Sequence, residues 1–255
     1  MNTSTPRSAL PATLTGRVHR LGGEILLDEA TSWCPPGVRR REPVNAYLIK
    51  GDHGAVLVDT GIRLHEAEII AQLDVLLEAD EPLSIVLTRT EMECCLNIPA
   101  IEEHRPIDAV WYTGGITVPR SSAPVQRIAV DPGTWREVQV RDGITLHFIS
   151  PLLRLLPTLW VFDPVSGALL TSDAFTHLAP QGGDTDSADP KGGLHKFRWF
   201  GDADTGSIAA DVRQIVHGRN VTAIGPGYGW PATGTDACSL EAELLAACLE
   251  EVGAQ

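Results

Sequence analysis

Ser84-Ile85-Val86-Leu87-Thr88 followed by Arg89-Thr90-Glu91-Met92-Glu93-Cys94 is the stretch on which the reading of this chain turns. The first five residues carry no charge and include the apolar run Ile85-Val86-Leu87, which reads as a short buried strand. The chain then becomes polar within one residue. Glu91 and Glu93 offer carboxylate oxygens. Arg89 offers five N–H donors and no lone pair, so it cannot ligate a cation. A strand that runs straight into this mixture is a place to look for a site.

Outward from that strand the pattern alternates. Residues 17–21 and 24–27 read as short strands. Residues 45–50 and 55–59 read as a hairpin around Gly51-Asp52-His53-Gly54. Ile69, Ile70, Leu73, Leu76 and Leu77 fall at helical spacing within 64–77. A helix is expected over 97–103 and strands over 109–113, 125–130, 137–140 and 144–149. A second hairpin is expected over 159–162 and 168–171, around Asp163-Pro164-Val165-Ser166-Gly167. Helices over 208–216 and 240–252 flank a strand over 221–224. Two rounds of strands, each closed by helices, suit an α+β chain of two mixed β-sheets packed face to face with helices outside, a four-layer αββα sandwich. Periodicity alone does not single out that architecture.

Composition narrows the functions. The chain has 255 residues, 43% of them apolar, and a formal charge of −13. That is enough apolar sequence for a sizeable core. The acidic balance disfavours nucleic acid and anionic membranes as partners. No run approaches the roughly 20 apolar residues that span a bilayer, and no secretory leader is evident, so a cytoplasmic protein is expected. Five cysteines (Cys34, Cys94, Cys95, Cys238 and Cys248) without regular spacing argue against a disulfide framework. Residues 1–12 read as a disordered tail, and 13–255 as one domain with halves near 13–142 and 143–255. The Gly/Asp/Ser/Pro-rich stretch 181–193 reads as a flexible loop. Its Asp184, Asp186 and Asp189 fail the calcium-loop pattern, because Ala188 stands at the third ligand position.

Several blocks together resemble the metallo-β-lactamase superfamily over about residues 14 to 235. Asn45-Ala46-Tyr47-Leu48-Ile49, then Val56-Leu57-Val58-Asp59-Thr60-Gly61, resembles its paired strands ending in Asp-Thr-Gly. Leu169-Leu170-Thr171-Ser172-Asp173-Ala174-Phe175 resembles the strand whose Asp bridges two metals, in a form especially like the flavodiiron branch and its stand-alone oxygen-binding diiron relatives. Ile224-Gly225-Pro226-Gly227-Tyr228-Gly229 resembles the strand end that supplies the last His. The loop after the strand at 84–88 is then the one that, in the superfamily, reads Thr-His-x-His-x-Asp-His. In the flavodiiron form, His-x-Glu-x-Asp, Glu91 matches the Glu and Glu93 is one methylene longer than the Asp. Arg89 replaces the first His and Cys94 a later one, which is not a ligand in that branch. Arg154 falls near the position of another His, and Tyr228 where the last should be. No flavodoxin-like segment follows within the sequence, so no fused flavin module is expected.

The resemblance therefore implies a vestigial metal site. Glu91, Glu93 and Asp173 remain as carboxylates while the expected imidazoles are gone. No metal or other cofactor is expected. The alternative is a metal-dependent hydrolase or diiron oxidoreductase with a rearranged site in which Glu91, Glu93 and Asp173, with Cys94 or His177, hold iron, zinc or manganese. Three buried carboxylates without a metal repel each other and take up protons, so Arg89 and Arg154 are expected to pair with Glu91 and Asp173. The pocket so formed is expected to bind a small anionic molecule between Arg89, Arg154 and Tyr228, with Glu91 or Glu93 as a base in metal-independent lyase- or isomerase-type chemistry. Salt bridges that merely plug the pocket, in a non-catalytic interaction protein, are the plainer alternative. Cys94, near Arg89 and a helix start, is a candidate nucleophile if its pKa is lowered there, against the commoner fate of an inert buried thiol. Tyr228 between two glycines is a candidate general acid or hydrogen-bond donor, or else a cap on the carboxylates. His177, four residues beyond Asp173, is placed to hydrogen-bond it. His195 is placed to reach the pocket from the flexible loop, and the aromatics of Lys196-Phe197-Arg198-Trp199-Phe200 to close over a ligand or simply to pack. Members of the resembled family often dimerise, so a homodimer is compatible with this reading.

Overall fold

The computed structural model describes residues 11–28, 30, 37, 39–114, 118–154, 156–176, 200, 201 and 203–253. Readings placed on 1–10, Cys34, His177, 181–193, His195 and 196–199 lie outside the described residues. The first sheet takes, in chain order, β1 (Ala12–Thr15), β2 (Val18–Leu27), β3 (Arg40–Gly51), β4 (Gly54–Val58), β5 (Leu83–Leu87), β6 (Ile107–Tyr112) and β7 (Val125–Arg127), with helices α1 (Glu66–Leu76), α2 (Met92–Cys95) and α3 (Ile98–His104) between its strands. Its strands lie side by side in that same order. The second sheet is built from β8 (Thr134–Arg141), β9 (Ile144–Ser150), β10 (Trp160–Asp163), β11 (Ala168–Ser172), β12 (Ala223–Pro226) and β13 (Ala232–Thr233), with α4 (Gly206–His217) before β12 and α5 (Thr235–Gly253) at the end. It is ordered β13-β12-β11-β10-β9-β8. Both sheets are mixed: β4 to β7 run parallel, as do β11 and β12, and the other pairs are antiparallel.

The strands read as near-continuous apolar runs because both of their faces are covered. Along β3, Tyr47 and Ile49 point between the sheets, while Ala46 and Leu48 point to the opposite face. Val56 and Val58 alternate with Ala55 and Leu57 in the same way along β4. In the second sheet Val161 and Leu170 face inward, and Trp160, Phe162 and Leu169 face outward. Three apolar layers result. Ile69 and Leu73 of α1 and Ile98 and Ile101 of α3 pack on the outer face of the first sheet. Phe148, Leu146 and Val161 meet Val56, Val58 and Val86 between the sheets. Val212 and Ile215 of α4, with Leu245 and Leu249 of α5, cover the second sheet. Three buried layers between four structural layers make the αββα sandwich expected from the element pattern.

The differences from expectation are local. β2 is one ten-residue strand rather than two short ones, and β1 begins at Ala12 inside the stretch assigned to the tail. β8 pairs with β9, so the boundary between the sheets falls between Arg127 and Thr134 and not near 142. The single-turn helix α2 has too few residues for a periodic signal. No helix among the described residues is long and apolar enough to cross a membrane.

Candidate functional site

Parallel β4 and β5 end side by side, and parallel β11 and β12 do the same in the facing sheet. Their carboxyl ends converge on one rim. Asp59 follows β4, Thr88 and Arg89 follow β5, Asp173 follows Ser172 at the end of β11, and Gly227 and Tyr228 follow β12. Asn45 of β3 closes that rim. Its backbone N–H donates to the Gly227 carbonyl at 2.8 Å, and its buried side-chain amide donates to the carbonyls of Pro226 (2.9 Å) and Gly229 (2.8 Å). The Gly227 N–H in turn donates to the Ser172 carbonyl. A Cβ at Gly227 would stand 2.9 Å from that oxygen, so glycine is what allows the two strand ends to meet.

Arg89 is the centre of the charged side chains. Its Nη1 donates to Asp173 Oδ2 at 2.7 Å and lies 3.5 Å from Glu91 Oε2, and its Nη2 is hydrogen-bonded to Glu93. One guanidinium thus bridges carboxylates carried by the two sheets. The side chains of Arg89, Asp173 and Glu93 are 9%, 12% and 17% exposed, and that of Glu91 35%, so Glu91 is the member open to solvent. Burial alone would lower the Arg89 pKa, but the carboxylates of Asp173, Glu93 and Glu91 outweigh it and raise it, so Arg89 stays charged. Burial raises the Glu91 pKa. Arg89 opposes that shift, and the negative charges of Glu93 and Asp173 add to it.

The arginine pair expected from the sequence is reduced to one. Arg154 donates from Nη1 to the Ser150 hydroxyl at 2.7 Å and pairs with none of Glu91, Glu93 and Asp173. Arg154 lies four positions beyond Ser150 at the end of β9, so the bond it makes is a local one. Cys94 also departs from expectation. It lies inside α2, only 2% exposed, and burial, followed by the charge of Asp59, pushes its thiol well above the usual range. Desolvation outweighs the attraction of Arg89, and the lowered pKa that nucleophilic attack needs is reversed. Tyr228 is half-buried with its backbone bridged to Val44. Burial and then the Glu93 carboxylate raise its phenol, so it is held neutral with its proton in place.

Behind the ions lies a network that reading the sequence for site residues missed. Asp59, buried and at φ 60°, accepts from the Thr88 N–H at 2.8 Å and from the Thr88 hydroxyl at 2.7 Å. The Thr88 hydroxyl is 2.9 Å from the Ser172 hydroxyl and 3.7 Å from Cys94 Sγ. Burial raises Asp59 to about 6 against the two Thr88 bonds. Asp59-Thr60-Gly61 was visible as a fold signature, but nothing in the sequence says that Asp59 reaches across to Thr88, 29 residues on.

Comparisons place this geometry among known structures. No protein-family model matches the sequence, and no curated protein matches it by sequence. Solved structures do match by shape. The rubredoxin oxygen:oxidoreductase of Desulfovibrio gigas superposes with a TM-score of 0.70 at 14% identity, over 94% of this chain and 61% of the other. A fragment of a putative diflavin flavoprotein from Nostoc superposes at 0.65 and 13% identity, over 97% of this chain and 100% of the fragment. A metallo-β-lactamase from Hirschia baltica superposes at 0.59 and 13% identity, over 94% and 96% of the two chains. The chain spans about three fifths of the Desulfovibrio oxidoreductase it matches. A match in shape at such low identity speaks to architecture and not to activity. The chain has the metallo-β-lactamase fold, in the form shared by the cores of flavodiiron proteins.

Proposed function

We propose that this metallo-β-lactamase-fold protein works without a metal, binding a small molecule at the rim pocket and moving a proton with Glu91. The observation that carries the reading is the position of Arg89, which bonds Asp173 on one sheet and Glu93 on the other. A binuclear transition-metal centre fits this set poorly. Imidazole gives such centres their affinity and geometry, and Glu91, Glu93, Asp173, Cys94 and Tyr228 include none. An ion among the carboxylates would have to displace Arg89 and then sit close to a fixed positive charge. Among the described residues, no three His, Cys, Asp or Glu side chains are grouped to hold an ion.

With Arg154 outside the cluster and Arg89 already paired, the geometry favours a different ligand from the anion expected at first. Three carboxylates around one guanidinium leave the pocket acidic, which suits a neutral or cationic small molecule. Glu91 is the least buried of the three carboxylates, and its raised pKa moves it toward the range in which a carboxyl both takes up and gives back a proton. In this reading Glu91 removes a proton from the bound molecule. Tyr228 remains protonated and donates a hydrogen bond to the negative charge that develops.

Elemental analysis of protein purified without chelator tests the metal-free part. We expect clearly substoichiometric iron, zinc and manganese. Two tightly held ions per chain would overturn the proposal in favour of a carboxylate-rich metalloenzyme using Glu91, Glu93 and Asp173. Thermal-shift screening with neutral, cationic and anionic compounds tests the ligand, since one that binds only the folded state raises its stability. Stabilisation by neutral or cationic compounds, lost in Glu91→Gln, is the expected result. Stabilisation by none of the classes would favour a non-catalytic interaction protein.

A further inference from the structure

We propose that Asp59 and Thr60 are positioning residues that clamp the Arg89 loop at both ends and hold the ion cluster in register across the two sheets. The loop runs from Thr88 to Cys94. Asp59 takes both hydrogen bonds that Thr88 can donate, from its N–H and its hydroxyl. Thr60 takes the other end, its N–H and hydroxyl donating to the Cys94 carbonyl at 2.8 and 2.9 Å. Two adjacent residues thus grip the first and last residues of a seven-residue loop. Their own place is secured, since the Asp59 N–H donates to the Val86 carbonyl at 2.8 Å and the Asn97 amide donates to the Thr60 carbonyl at 2.8 Å.

The clamp extends to the second sheet through Thr88, whose hydroxyl is hydrogen-bonded to that of Ser172. Arg89 and the two carboxylates it hydrogen-bonds are then chain neighbours of these residues: Arg89 follows Thr88, Glu93 precedes Cys94, and Asp173 follows Ser172. Ser172 and Asp59 are both held at positive φ (55° and 60°), where non-glycine residues stay only if their surroundings fix them. Arg89 has a long side chain with rotamer entropy of its own, and the hydrogen bonds behind it fix the backbone from which it reaches. The inference rests on reading the Arg89 cluster as the working floor of the pocket. Its test follows the arginine itself and needs neither ligand nor activity.

The experiment is side-chain nitrogen NMR of the full-length protein at neutral pH. A guanidinium bonded at both Nη atoms rotates slowly and shows them as separate signals, whereas a released one shows an averaged signal. We expect separate Arg89 signals in the wild type and in Thr88→Ser, which keeps the hydroxyl. We expect an averaged signal in Asp59→Asn and in Thr88→Val. Arg17→Ala, at a remote ion pair, is the control: it lowers stability and leaves the Arg89 signals separate. Should Asp59→Asn fail to fold, Thr88→Val decides alone. Separate signals in the folded clamp variants would overturn the proposal and reduce the network to a general contribution to stability. Averaging in Arg17→Ala would overturn it as well, because loosening would then follow stability and not the clamp.

Discussion

Arg89 is one positive charge answering for three negative ones, and most of what distinguishes this site follows from that imbalance. Removing it leaves Asp173 and Glu93 largely buried without their partner. Loss of one member of a buried pair costs about 3–5 kcal/mol, and partial exposure here brings the expectation for Arg89→Met to roughly 2–4 kcal/mol. Urea unfolding at neutral pH measures it. The cost should shrink in mild acid, where the stranded carboxylates are neutralised by protons, and a cost independent of pH would contradict the ionic account. Asp59 titrates in the opposite sense from a salt-bridged acid. Its folded pKa of about 6 lies above its ordinary value, so the stability it contributes is fully present below that ordinary value and is lost as the pH rises through 6. The penalty of Asp59→Asn should therefore be smaller at about pH 8 than at about pH 5, by about 1 kcal/mol. Paired denaturation curves at the two pH values give the sign directly.

At the scale of the element, Gln72 of α1 does work that its sequence position conceals. Gly22 in β2 is at φ 110°, and a Cβ there would collide with the Val44 carbonyl oxygen. Gln72 matches the exposed peptide group with its own amide, accepting from the Gly22 N–H at 2.8 Å and donating to the Gly22 carbonyl at 3.0 Å. It is buried at 2% exposure although it lies on a helix face otherwise occupied by Ile69 and Leu73. Replacing it with leucine keeps the volume and strands both backbone groups. Each unsatisfied buried group costs about 1–3 kcal/mol, so a loss of roughly 2–4 kcal/mol is expected for Gln72→Leu by chemical denaturation. A neutral effect would mean that water replaces the amide.

Across the whole molecule, the sheets are joined by apolar packing and by a few polar ties. Arg17, between β1 and β2, donates Nε and Nη2 to the two carboxylate oxygens of Asp163 at the end of β10, at 3.0 and 2.7 Å. Burial would raise the Asp163 pKa, but the bonds from Arg17 and Ser166 outweigh it and hold it lowered. The stability from this tie is present above the ordinary aspartate pKa and is lost as the pH falls through the lowered one. Arg17→Ala should cost roughly 1–3 kcal/mol at neutral pH, as for hydrogen bonds to charged groups, and the gap to the wild type should narrow below about pH 4. Acid titration of stability in the two proteins checks this.

What the sequence determined by itself was where strands and helices lie and which residue types stand at the strand ends. Apolar runs such as Val56-Leu57-Val58 and Ile85-Val86-Leu87 mark strands covered on both faces, because burial on alternate sides disfavours polar residues. The absence of imidazole at Arg89 and Tyr228 is a matter of residue identity and needs no coordinates. Tertiary structure alone decided which charges meet. Arg89 and Arg154 look equivalent in the sequence, yet one spans two sheets and the other turns back to Ser150. Asp59 reads as the end of a strand, yet it holds the loop that carries the charges. Periodicity reports which face of a strand is buried, a property of near neighbours. A hydrogen bond between residues 29 or 84 positions apart depends on how whole layers stack, and no local pattern encodes it.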